Sequence, residues 1–301
     1  MTAAPAATRL DRGAPEWLER LEHLDSPPVA LWVRGTPPQP DAPCVAVVGS
    51  RRATPGGMLT AHDIAADLAA AGIIVVSGMA RGIDGAAHRG ALDGGGRTVA
   101  VLGCGIDVCY PAEHRQLRDR IAESGCVLSE DGATEPPLAW RFPRRNRIIA
   151  ALAEAVVVVE GTERSGALST ARWAADLGRE VLAVPGSIRS PSSLGTNLLI
   201  RDGVRPYLGA VDLFEAAPRL RRALMAPSND HPPAGQNHPV PGETDPMLAR
   251  VLDRLAAEPL HPDELAAALG VGAAALAAML TTLQLRGVIT DVCGGRVART
   301  F

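Results

Sequence analysis

The segment Val45-Ala46-Val47-Val48-Gly49-Ser50-Arg51-Arg52 decides the fold class, because an uninterrupted apolar run ends in a glycine followed by polar and basic residues. Similar apolar runs recur at residues 73–76, 98–102, 127–128, 156–159 and 181–184. Helical patterns separate them, at residues 57–71, 83–92, 112–123, 145–153 and 167–177. Strands with little polar alternation between helices indicate a parallel sheet that is covered on both faces. The sequence therefore predicts an α/β fold with an extended Rossmann-like, doubly wound parallel sheet.

Glycines and polar residues gather directly after most of these runs. They form the stretches Gly49-Ser50-Arg51-Arg52, Ser77 to Asp84, Gly103 to Asp107, Glu160-Gly161 with Ser165-Gly166, and Pro185-Gly186-Ser187. The carboxyl ends of parallel strands meet at one edge of the sheet, where ligands bind in open α/β sheets. Glycines there let backbone amides approach a phosphate, and helix N-termini add a positive field. We therefore expect a phosphate-containing ligand at this edge.

A second informative stretch is Arg141-Phe142-Pro143-Arg144-Arg145-Asn146-Arg147, in which basic, aromatic and amide side chains alternate. Arg presents a planar fork of donors that fits phosphate oxygens and also stacks on bases. Phe142 offers a stacking face, and Asn146 offers a donor and an acceptor for a base edge. Pro143 suits the first turn of a helix. The alternative interpretation is a solvated basic helix start with Phe142 in the core.

Composition and charge narrow the function classes. Of the 301 residues, 47% are hydrophobic and 21% charged, which is typical of soluble globular proteins. The net charge is −3, so the whole molecule has no positive field that attracts nucleic acid, and any such binding must come from a local cluster. All 30 cationic residues are Arg. The absence of Lys excludes a Walker A lysine, Schiff-base chemistry and a Ser-x-x-Lys nucleophile.

Cofactors and membranes are not expected. The five cysteines form no Cys-x-x-Cys pair and the seven His residues are scattered, so the sequence predicts neither a metal site nor a cofactor. No apolar run reaches the ~18 residues of a membrane-spanning helix. The N-terminus lacks the apolar segment of a secretory signal. We therefore expect a cytoplasmic protein.

Four regions follow from the pattern. Residues 1–13 are predicted to be a disordered leader, 14–216 the Rossmann-like domain, 217–245 a Pro-rich linker and 246–301 a small winged-helix domain. A helix is also predicted over 14–24. Three helical stretches and a hairpin at Gly294-Gly295 indicate the winged helix. Its third helical stretch contains no Arg, which favours docking to a protein over reading DNA, although both alternatives stay open.

Seven motifs occur in one unbroken order over about residues 27–214. They are Val45 to Arg51, Ser77-Gly-Met-Ala-Arg-Gly-Ile-Asp84, Ala100-Val-Leu-Gly-Cys-Gly-Ile-Asp107 with Tyr110-Pro111, Phe142-Pro-Arg-Arg-Asn-Arg-Ile-Ile149, Ser165-Gly-Ala-Leu-Ser-Thr-Ala171, Val184-Pro185-Gly186 and Gly195-Thr196-Asn197. This series resembles the DNA-processing protein A family (DprA, also called Smf). The resemblance implies a non-enzymatic homodimer, joined through the Rossmann-like domain, that binds and protects single-stranded DNA. It also implies that the protein loads the recombinase RecA onto such strands in natural transformation and helps displace single-strand-binding protein.

The resemblance also singles out a set of residues that are expected to contact DNA. They are Gly49, Ser50, Arg51, Arg81, Phe142, Arg144, Arg145, Asn146, Arg147, Ser165, Gly166 and Thr170. Gly49, Ser50 and Arg51 are expected to hold a phosphate, assisted by amides at the start of the 57–71 helix. Arg145 and Asn146 are expected at the DNA.

Less direct roles are expected for their neighbours. Arg144 is expected to flank the DNA, and Arg147 to brace a loop carboxylate such as Glu160. Asp84 is expected to cap its helix or to fix Arg81. His88 is expected to be structural. Simple turn, capping and core roles remain the alternatives for the loop residues and for Phe142.

The competing hypothesis is a Rossmann-like nucleotide-binding phosphoribohydrolase of the "lonely guy" type. Those enzymes are similar in their Ser-Gly-Gly and Pro-Gly-Gly-x-Gly-Thr loops, and a Glu shortly after the Gly-Thr performs the chemistry. Here Gly195-Thr196 is followed by Asn197-Leu198-Leu199-Ile200, with no carboxylate until Asp202. A dinucleotide oxidoreductase fits less well, because the first loop lacks Gly-x-Gly-x-x-Gly. The sequence therefore favours a binding protein over an enzyme.

Overall fold

Nine strands of the first structural unit form a single, largely parallel sheet. They are β1 (Thr8–Asp11), β2 (Ala30–Gly35), β3 (Cys44–Val48), β4 (Ile74–Ser77), β5 (Thr98–Leu102), β6 (Cys126–Ser129), β7 (Ala155–Val158), β8 (Glu180–Ala183) and β9 (Arg205–Pro206). Their order is β1-β2-β6-β5-β4-β3-β7-β8-β9. The computed structural model describes residues 5–220, 246–255, 260–272, 276, 279–280, 283, 289–292 and 296–299. The predicted α/β fold is confirmed.

Helices cover both faces of this sheet. They are α1 (Pro55–Ala70), α2 (Ile83–Asp93), α3 (Arg115–Ser124), α4 (Arg141–Leu152), α5 (Ala167–Asp176), α6 (Leu194–Arg201) and α7 (Ala210–Ala216). Successive residues of β3 point to opposite faces, so Ala46 and Val48 pack in one hydrophobic cluster with α4 and α5. Val45 and Val47 pack in another with α1 and α2. A strand buried on both sides must be apolar throughout, which is why periodicity identified it.

The chain order reverses at β3, the sixth of the nine strands in the sheet. β3 pairs in parallel with β4 on one side and with β7 on the other. The loops after β3 and β7 are tied where they diverge, because the amide of Ser50 donates to the carbonyl oxygen of Glu160 over 2.8 Å. Such a switch point leaves a crevice at the carboxyl ends of the strands.

The predicted N-terminal boundary is corrected by the structure. Residues 8–11, assigned to a disordered leader, form β1, which pairs antiparallel with β2. Leu10 packs against the core, and the ladder satisfies the backbone groups of this edge strand. The predicted 14–24 helix is shortened to a 3-10 helix, Glu19–His23, although its apolar residues Trp17, Leu21 and Leu24 are buried as their spacing indicated.

The predicted linker begins too early. Ala217 and Leu220 are buried with the α1 and α2 cluster, so residues 217–220 belong to the first unit. Residues 221–245, the rest of that linker, lie outside the described residues. None of the helices in the described part of the chain is long and apolar enough to cross a bilayer.

The second unit spans Ser228–Phe301. It contains helices Pro246–Leu255 and Pro262–Leu269 and an antiparallel hairpin of Ile289–Val292 and Arg296–Arg299. Its core includes Val251, Leu265, Leu276 and Val297. These elements agree with the predicted winged helix, while most of its third helical stretch, 273–285, lies outside the described residues.

Candidate functional site

A cavity of about 750 Å³ opens where the loops after β3 and β7 diverge, at the carboxyl edge of the sheet. We refer to it as the switch-point cavity. The predicted site residues that line it are Gly49, Ser50, Arg51, Phe142, Arg145, Asn146, Ser165, Gly166 and Thr170. Arg81, Arg144 and Arg147 do not line it. The loops after β3, β4, β6, β7 and β8 and the starts of α2, α4 and α5 therefore converge at the edge where the strand pattern predicted a ligand.

Arg51 and Phe142 form a stacked pair at the cavity. The guanidinium carbon of Arg51 lies 4.3 Å from the centroid of the Phe142 ring, a cation–π distance. Gly103 packs so closely against the ring that a Cβ there would lie 2.8 Å from the Phe142 Cδ1. Phe142 is half-buried and Arg51 is exposed. Phe142 is thus a support for Arg51, and the outer side of the guanidinium is left to face a ligand.

Within the described residues, no carboxylate lies at ion-pair distance from Arg51. This separates Arg51 from several of the other predicted arginines, which are paired. An unpaired guanidinium on a cavity wall keeps its donors for phosphate oxygens. Of the predicted arginines, Arg51 is therefore the one that lines the cavity with an exposed side chain and no carboxylate partner among the described residues.

Arg145 was predicted to lie at the DNA, and the structure corrects this. The residue is only 5% exposed, and its Nη1 donates to the backbone carbonyls of Gly78, at 2.8 Å, and Val101. A Cβ at position 78 would lie 2.5 Å from an Arg145 nitrogen, so this strand-end glycine makes room for the guanidinium. Burial lowers the pKa of Arg145 to about 10, and the nearby Asp84 opposes that shift. Arg145 is a buried support beneath the cavity.

Asn146 is likewise engaged within the protein. Its side-chain amide donates to the carbonyl of Gly166 over 3.1 Å and to Oγ of Ser169 over 2.7 Å. Its Oδ1 accepts from Nε of Arg145 over 3.3 Å. Asn146 therefore joins the start of α4 to the start of α5, in contrast to its predicted use on a base edge.

Two further arginines of the basic stretch are held by carboxylates. Nη2 of Arg147 lies 2.6 Å from Glu130, and the Arg147 side chain is buried. It does brace a loop carboxylate as predicted, but the partner is Glu130, not Glu160. Nη2 of Arg144 lies 2.8 Å from Asp131 and 3.3 Å from Glu130. Helix geometry explains why Arg144 and Arg147 lie away from the cavity that Arg145 lines. Side chains one or two positions apart on a helix point in different directions.

Arg81 lies outside the cavity in an exposed ion pair with Glu113, with one Nη2–Oε2 distance of 2.9 Å. Asp84 does not fix it, contrary to one of the two predicted roles. Asp84 instead sits in the first turn of α2 and accepts from the amide of Ala80 over 3.4 Å. Burial raises the pKa of Asp84, and the Arg145 guanidinium opposes this shift.

The N-terminus of α1 was expected to help hold a phosphate, but it is already occupied. Thr54 caps the helix, its Oγ1 accepting from the amide of Gly57 over 3.0 Å. The Glu160 carboxylate accepts from the Thr54 amide over 2.9 Å and from the Thr54 hydroxyl over 2.6 Å. A Cβ at Gly57 would collide with that carboxylate. Glu160 therefore takes the place where an anion would sit at this helix end.

The start of α5 keeps both of its predicted interpretations. Gly166 occupies the N-cap position and is exposed, while Thr170 is buried in the cavity wall. Oγ of Ser165 accepts from the amide of Ala167 over 3.4 Å, a local bond two residues ahead, and no side chain caps α5. Ser165, Gly166 and Thr170 all line the cavity.

Sequence reasoning missed several cavity residues. Arg52 lines the cavity and is exposed, as Arg51 is, and its adjacency to Arg51 was the available signal. Residues 190–192 also line it; they follow the Pro185-Gly186-Ser187 segment in the loop after β8, but no separate signal in the sequence indicated them. Thr54 and its partner Glu160 are 106 residues apart in the chain, so no sequence pattern indicated their hydrogen bond.

His88 is structural, as predicted. It is fully buried, and its Nδ1 lies 2.7 Å from Oγ1 of Thr98, which itself donates to the carbonyl of Val75 over 2.7 Å. The Thr98 hydroxyl proton is thereby used, so His88 Nδ1 carries the other proton and donates. Burial lowers the pKa of His88 to about 3, so the ring is neutral in the folded protein.

Comparisons with known proteins agree with these motifs. Residues 8–218 match the sequence profile of DNA recombination-mediator protein A, and residues 232–295 match the DprA winged helix domain. The chain belongs to the DNA recombination-mediator protein A family. The resemblance drawn from the ordered motifs is thus confirmed.

Relatives in several bacteria are similar over most of the chain. A putative DNA processing protein DprA of Mycobacterium tuberculosis is 42% identical over 264 residues, which are 87% of this chain and 66% of that protein. Protein Smf of Escherichia coli K12 is 38% identical over 276 residues, 90% of this chain and 71% of that protein. The chain thus spans about two thirds of the length of these relatives.

Two solved structures share the fold. The X-ray structure of DNA processing protein A from Streptococcus pneumoniae has a TM-score of 0.65 and 38% identity, covering 69% of this chain and 73% of that chain. The protein from Helicobacter pylori has a TM-score of 0.62 and 27% identity, covering 70% of this chain and 95% of that chain. That structure was described for the single-stranded DNA binding mode of the H. pylori protein.

Proposed function

We propose that this protein binds single-stranded DNA at the switch-point cavity and catalyses no reaction there. The observation that carries the proposal is Arg51, an exposed guanidinium stacked on Phe142 at the cavity. A guanidinium plane is able both to contact a phosphate and to stack on an unpaired base. A duplex hides the flat faces of its bases, so this arrangement favours a single strand.

The charge of the cavity surroundings supports a phosphate backbone as the ligand. Arg51 and Arg52 both line the cavity. Arg164 and Arg189 are exposed and adjoin the lining residues Ser165 and Ser190 in sequence. With a net charge of −3 on the whole chain, this local group of arginines is what attracts a polyanion.

Two observations argue against the phosphoribohydrolase alternative. Among the described residues, the one carboxylate that lines the cavity is Asp84, which is only 6% exposed and accepts from the amide of Ala80 over 3.4 Å. Thr196, of the Gly-Thr pair that suggested the enzyme, is buried and donates to the carbonyl of Ser193 over 3.1 Å. A hydrolase needs an acid or base within reach of its substrate. Incubation with nucleoside monophosphates should therefore release no base.

The more specific parts of the proposal rest on the similarity of this chain to its family. The H. pylori relative has a described single-stranded DNA binding mode, and we extend that ligand to this chain. We further propose that the protein acts in the cytoplasm as a homodimer, loads RecA onto the bound strand during natural transformation and recombination, and protects that strand. Displacement of single-strand-binding protein belongs to the same proposal, as does protein docking by the second unit.

The test is replacement of Arg51 by Ala, with binding of a fluorescent oligo-dT followed by anisotropy. A lost charge-assisted contact of about 1.5–3 kcal/mol corresponds to roughly 10- to 100-fold weaker binding. The slope of log affinity against log salt should become shallower by about 0.7, because one phosphate contact to a single strand is removed.

A matched control is Arg120→Ala, which removes an exposed arginine from α3, where it pairs with Asp93. It changes the net charge equally and should leave affinity within about twofold, since Arg120 does not line the cavity. Equal losses in the two variants would mean that general charge, and not this cavity, determines binding.

A further inference from the structure

A second group of residues lies beside the Arg51–Phe142 pair. The Tyr110 ring centroid is 5.6 Å from that of Phe142, with the planes inclined at 49°. Tyr110 is 36% exposed, so part of its ring remains open to solvent. The three side chains therefore form one continuous row, from Arg51 across Phe142 to Tyr110.

Arg81 reaches the same place from the loop between β4 and α2. A Cβ at Gly82, the next residue, would collide with the backbone of Ser50 and Arg51, so the two loops are in contact. Arg81 donates hydrogen bonds to Glu113, which follows Tyr110 by three residues in the same segment. Arg81 is thus held beside the segment that carries Tyr110, outside the cavity and next to its Arg51 wall.

Glu113 prevents Arg81 from offering its donors. The carboxylate accepts from both Nε and Nη2 of Arg81, which is a bidentate pair. The Arg81 hydrogen bonds lower the pKa of Glu113 to about 2, so the carboxylate stays ionised at neutral pH. Both side chains are more than half exposed, at 58% and 51%. An exposed pair of this kind is weak enough for a phosphate to replace the carboxylate.

From these contacts we infer that Tyr110 and Arg81 form a second nucleotide subsite next to the switch-point cavity, and that Glu113 competes with DNA for it. The base of the neighbouring nucleotide stacks on Tyr110 and its phosphate takes the Arg81 fork that Glu113 occupies in the free protein. This inference rests on the proposed single-strand binding and gives the strand a path, from Arg51 over Phe142 towards Tyr110.

The decisive variant is Glu113→Gln, which frees Arg81 and should tighten oligo-dT binding. The expected gain is about threefold to tenfold at low salt, the scale of one charged contact made in place of a weak surface pair. The salt slope should steepen by about 0.7. Adding Arg81→Ala to Glu113→Gln should abolish the gain. Arg81→Ala alone should weaken binding, but by less than it does in the Glu113→Gln background, because in the wild-type protein the phosphate must first displace Glu113.

Glu123→Gln is the control for charge alone. Glu123 is exposed near the end of α3, just before β6 begins, and so lies at the opposite edge of the sheet. It removes the same charge without freeing Arg81. Should Glu113→Gln bind no more tightly than Glu123→Gln, Glu113 does not compete with DNA and the inference fails.

Tyr110 is tested by its own pair of variants. Tyr110→Phe should keep oligo-dT affinity, whereas Tyr110→Ala should lose roughly tenfold, the scale of one base–aromatic stack. Equal affinities of the two variants would overturn the stacking role. If the wild-type protein binds oligo-dT through Arg51 but the Glu113 and Tyr110 variants behave as their controls, only the second subsite is lost. If the wild-type protein does not bind oligo-dT, the proposed function itself fails.

Discussion

At the scale of single residues, the basic stretch at the start of α4 contains both buried side chains and side chains that reach the surface. Arg145 and Arg147 are buried on backbone carbonyls and a carboxylate, and they stabilise the loops around the cavity. Phe142 supports Arg51, a residue from a different loop. Gly57, in the first turn of α1, and the strand-end residue Gly78 accommodate the buried side chains of Glu160 and Arg145. Arg145 and Arg147 therefore hold the loops of the site in place, whereas Arg51 is exposed at the cavity.

Phe142 should affect DNA binding only through Arg51. Phe142→Ala removes a cation–π contact of about 0.5–2 kcal/mol, so oligo-dT binding should weaken severalfold. In an Arg51→Ala background the same substitution should have no further effect, because the contact is already gone. Anisotropy titrations of the two single variants and the double variant measure this coupling. Additive losses would show that Phe142 contacts DNA independently of Arg51.

His88 should make the protein sensitive to mild acid. Its pKa is about 3 when folded and near 6.5 when unfolded, so below pH 6.5 the unfolded chain binds the extra proton. The stabilisation is complete above the unfolded pKa and is lost as pH falls, at about 1.4 kcal/mol per pH unit for one proton. Urea unfolding of wild type and His88→Asn at pH 7, 6 and 5 measures this. The asparagine variant should show the shallower decline, and parallel declines would contradict the assignment.

At the scale of elements, the start of α1 is closed by the protein itself. Thr54 caps the helix and holds Glu160, which follows β7, so one hydroxyl and one carboxylate tie the two loops of the switch point together. The Glu160 carboxylate occupies the position at this helix N-terminus where a phosphate of a ligand would otherwise bind. In the proposed complex, the phosphate contacts would therefore come from side chains such as Arg51 and from the start of α5.

Thr54 should therefore matter for stability. Thr54→Ala removes the helix cap and the hydroxyl that donates to Glu160, while the backbone amide still donates to that carboxylate, so the substitution should cost about 2 kcal/mol. Thr54→Ser keeps the hydroxyl and should recover most of that loss. The free energy of unfolding in urea distinguishes them. If alanine and serine were equally destabilising, the lost methyl packing, not the hydroxyl, would be responsible.

Elements were easier to predict from the sequence than contacts. The buried strands were placed within a residue or two because a strand covered on both faces must be apolar throughout. β1 was missed because it is a four-residue edge strand with Leu10 as its single packed apolar side chain. Arg145 was misjudged because its acceptors, Gly78 and Val101, lie 67 and 44 residues away and are backbone carbonyls. No spacing rule within one helix reveals partners brought together by the sheet.

At the scale of the whole molecule, the far edge of the first unit carries exposed apolar side chains. Ile188, Leu208 and Val211 are 93%, 75% and 69% exposed, and they flank β8, β9 and α7. β9 is a two-residue edge strand with one parallel neighbour, β8. Exposed apolar groups beside a short sheet edge are typical of protein interfaces. This edge is our candidate for the proposed homodimer contact.

The variant Leu208→Glu, Val211→Glu should convert the dimer to a monomer. Each introduced carboxylate would lose its hydration in an apolar contact without gaining a partner. In a symmetric interface both protomers carry the substitutions, so this cost applies twice. Sedimentation velocity at micromolar protein is the measurement. Leu59→Glu, at an exposed apolar position on α1, is the control that should stay dimeric. A wild-type protein that sediments as a monomer, or a dimeric double variant, would contradict this placement.

The central claim, that an unpaired strand lies across the Arg51–Phe142 pair, is tested most directly by photo-cross-linking. An oligo-dT carrying 5-iododeoxyuridine is bound at low salt, irradiated and digested, and the cross-linked peptides are identified by mass spectrometry. We expect cross-links in peptides that line the cavity or contain Tyr110, and we expect them to be lost in Arg51→Ala. Cross-links confined to residues 246–301, or unaffected by that substitution, would place the DNA elsewhere and contradict the account.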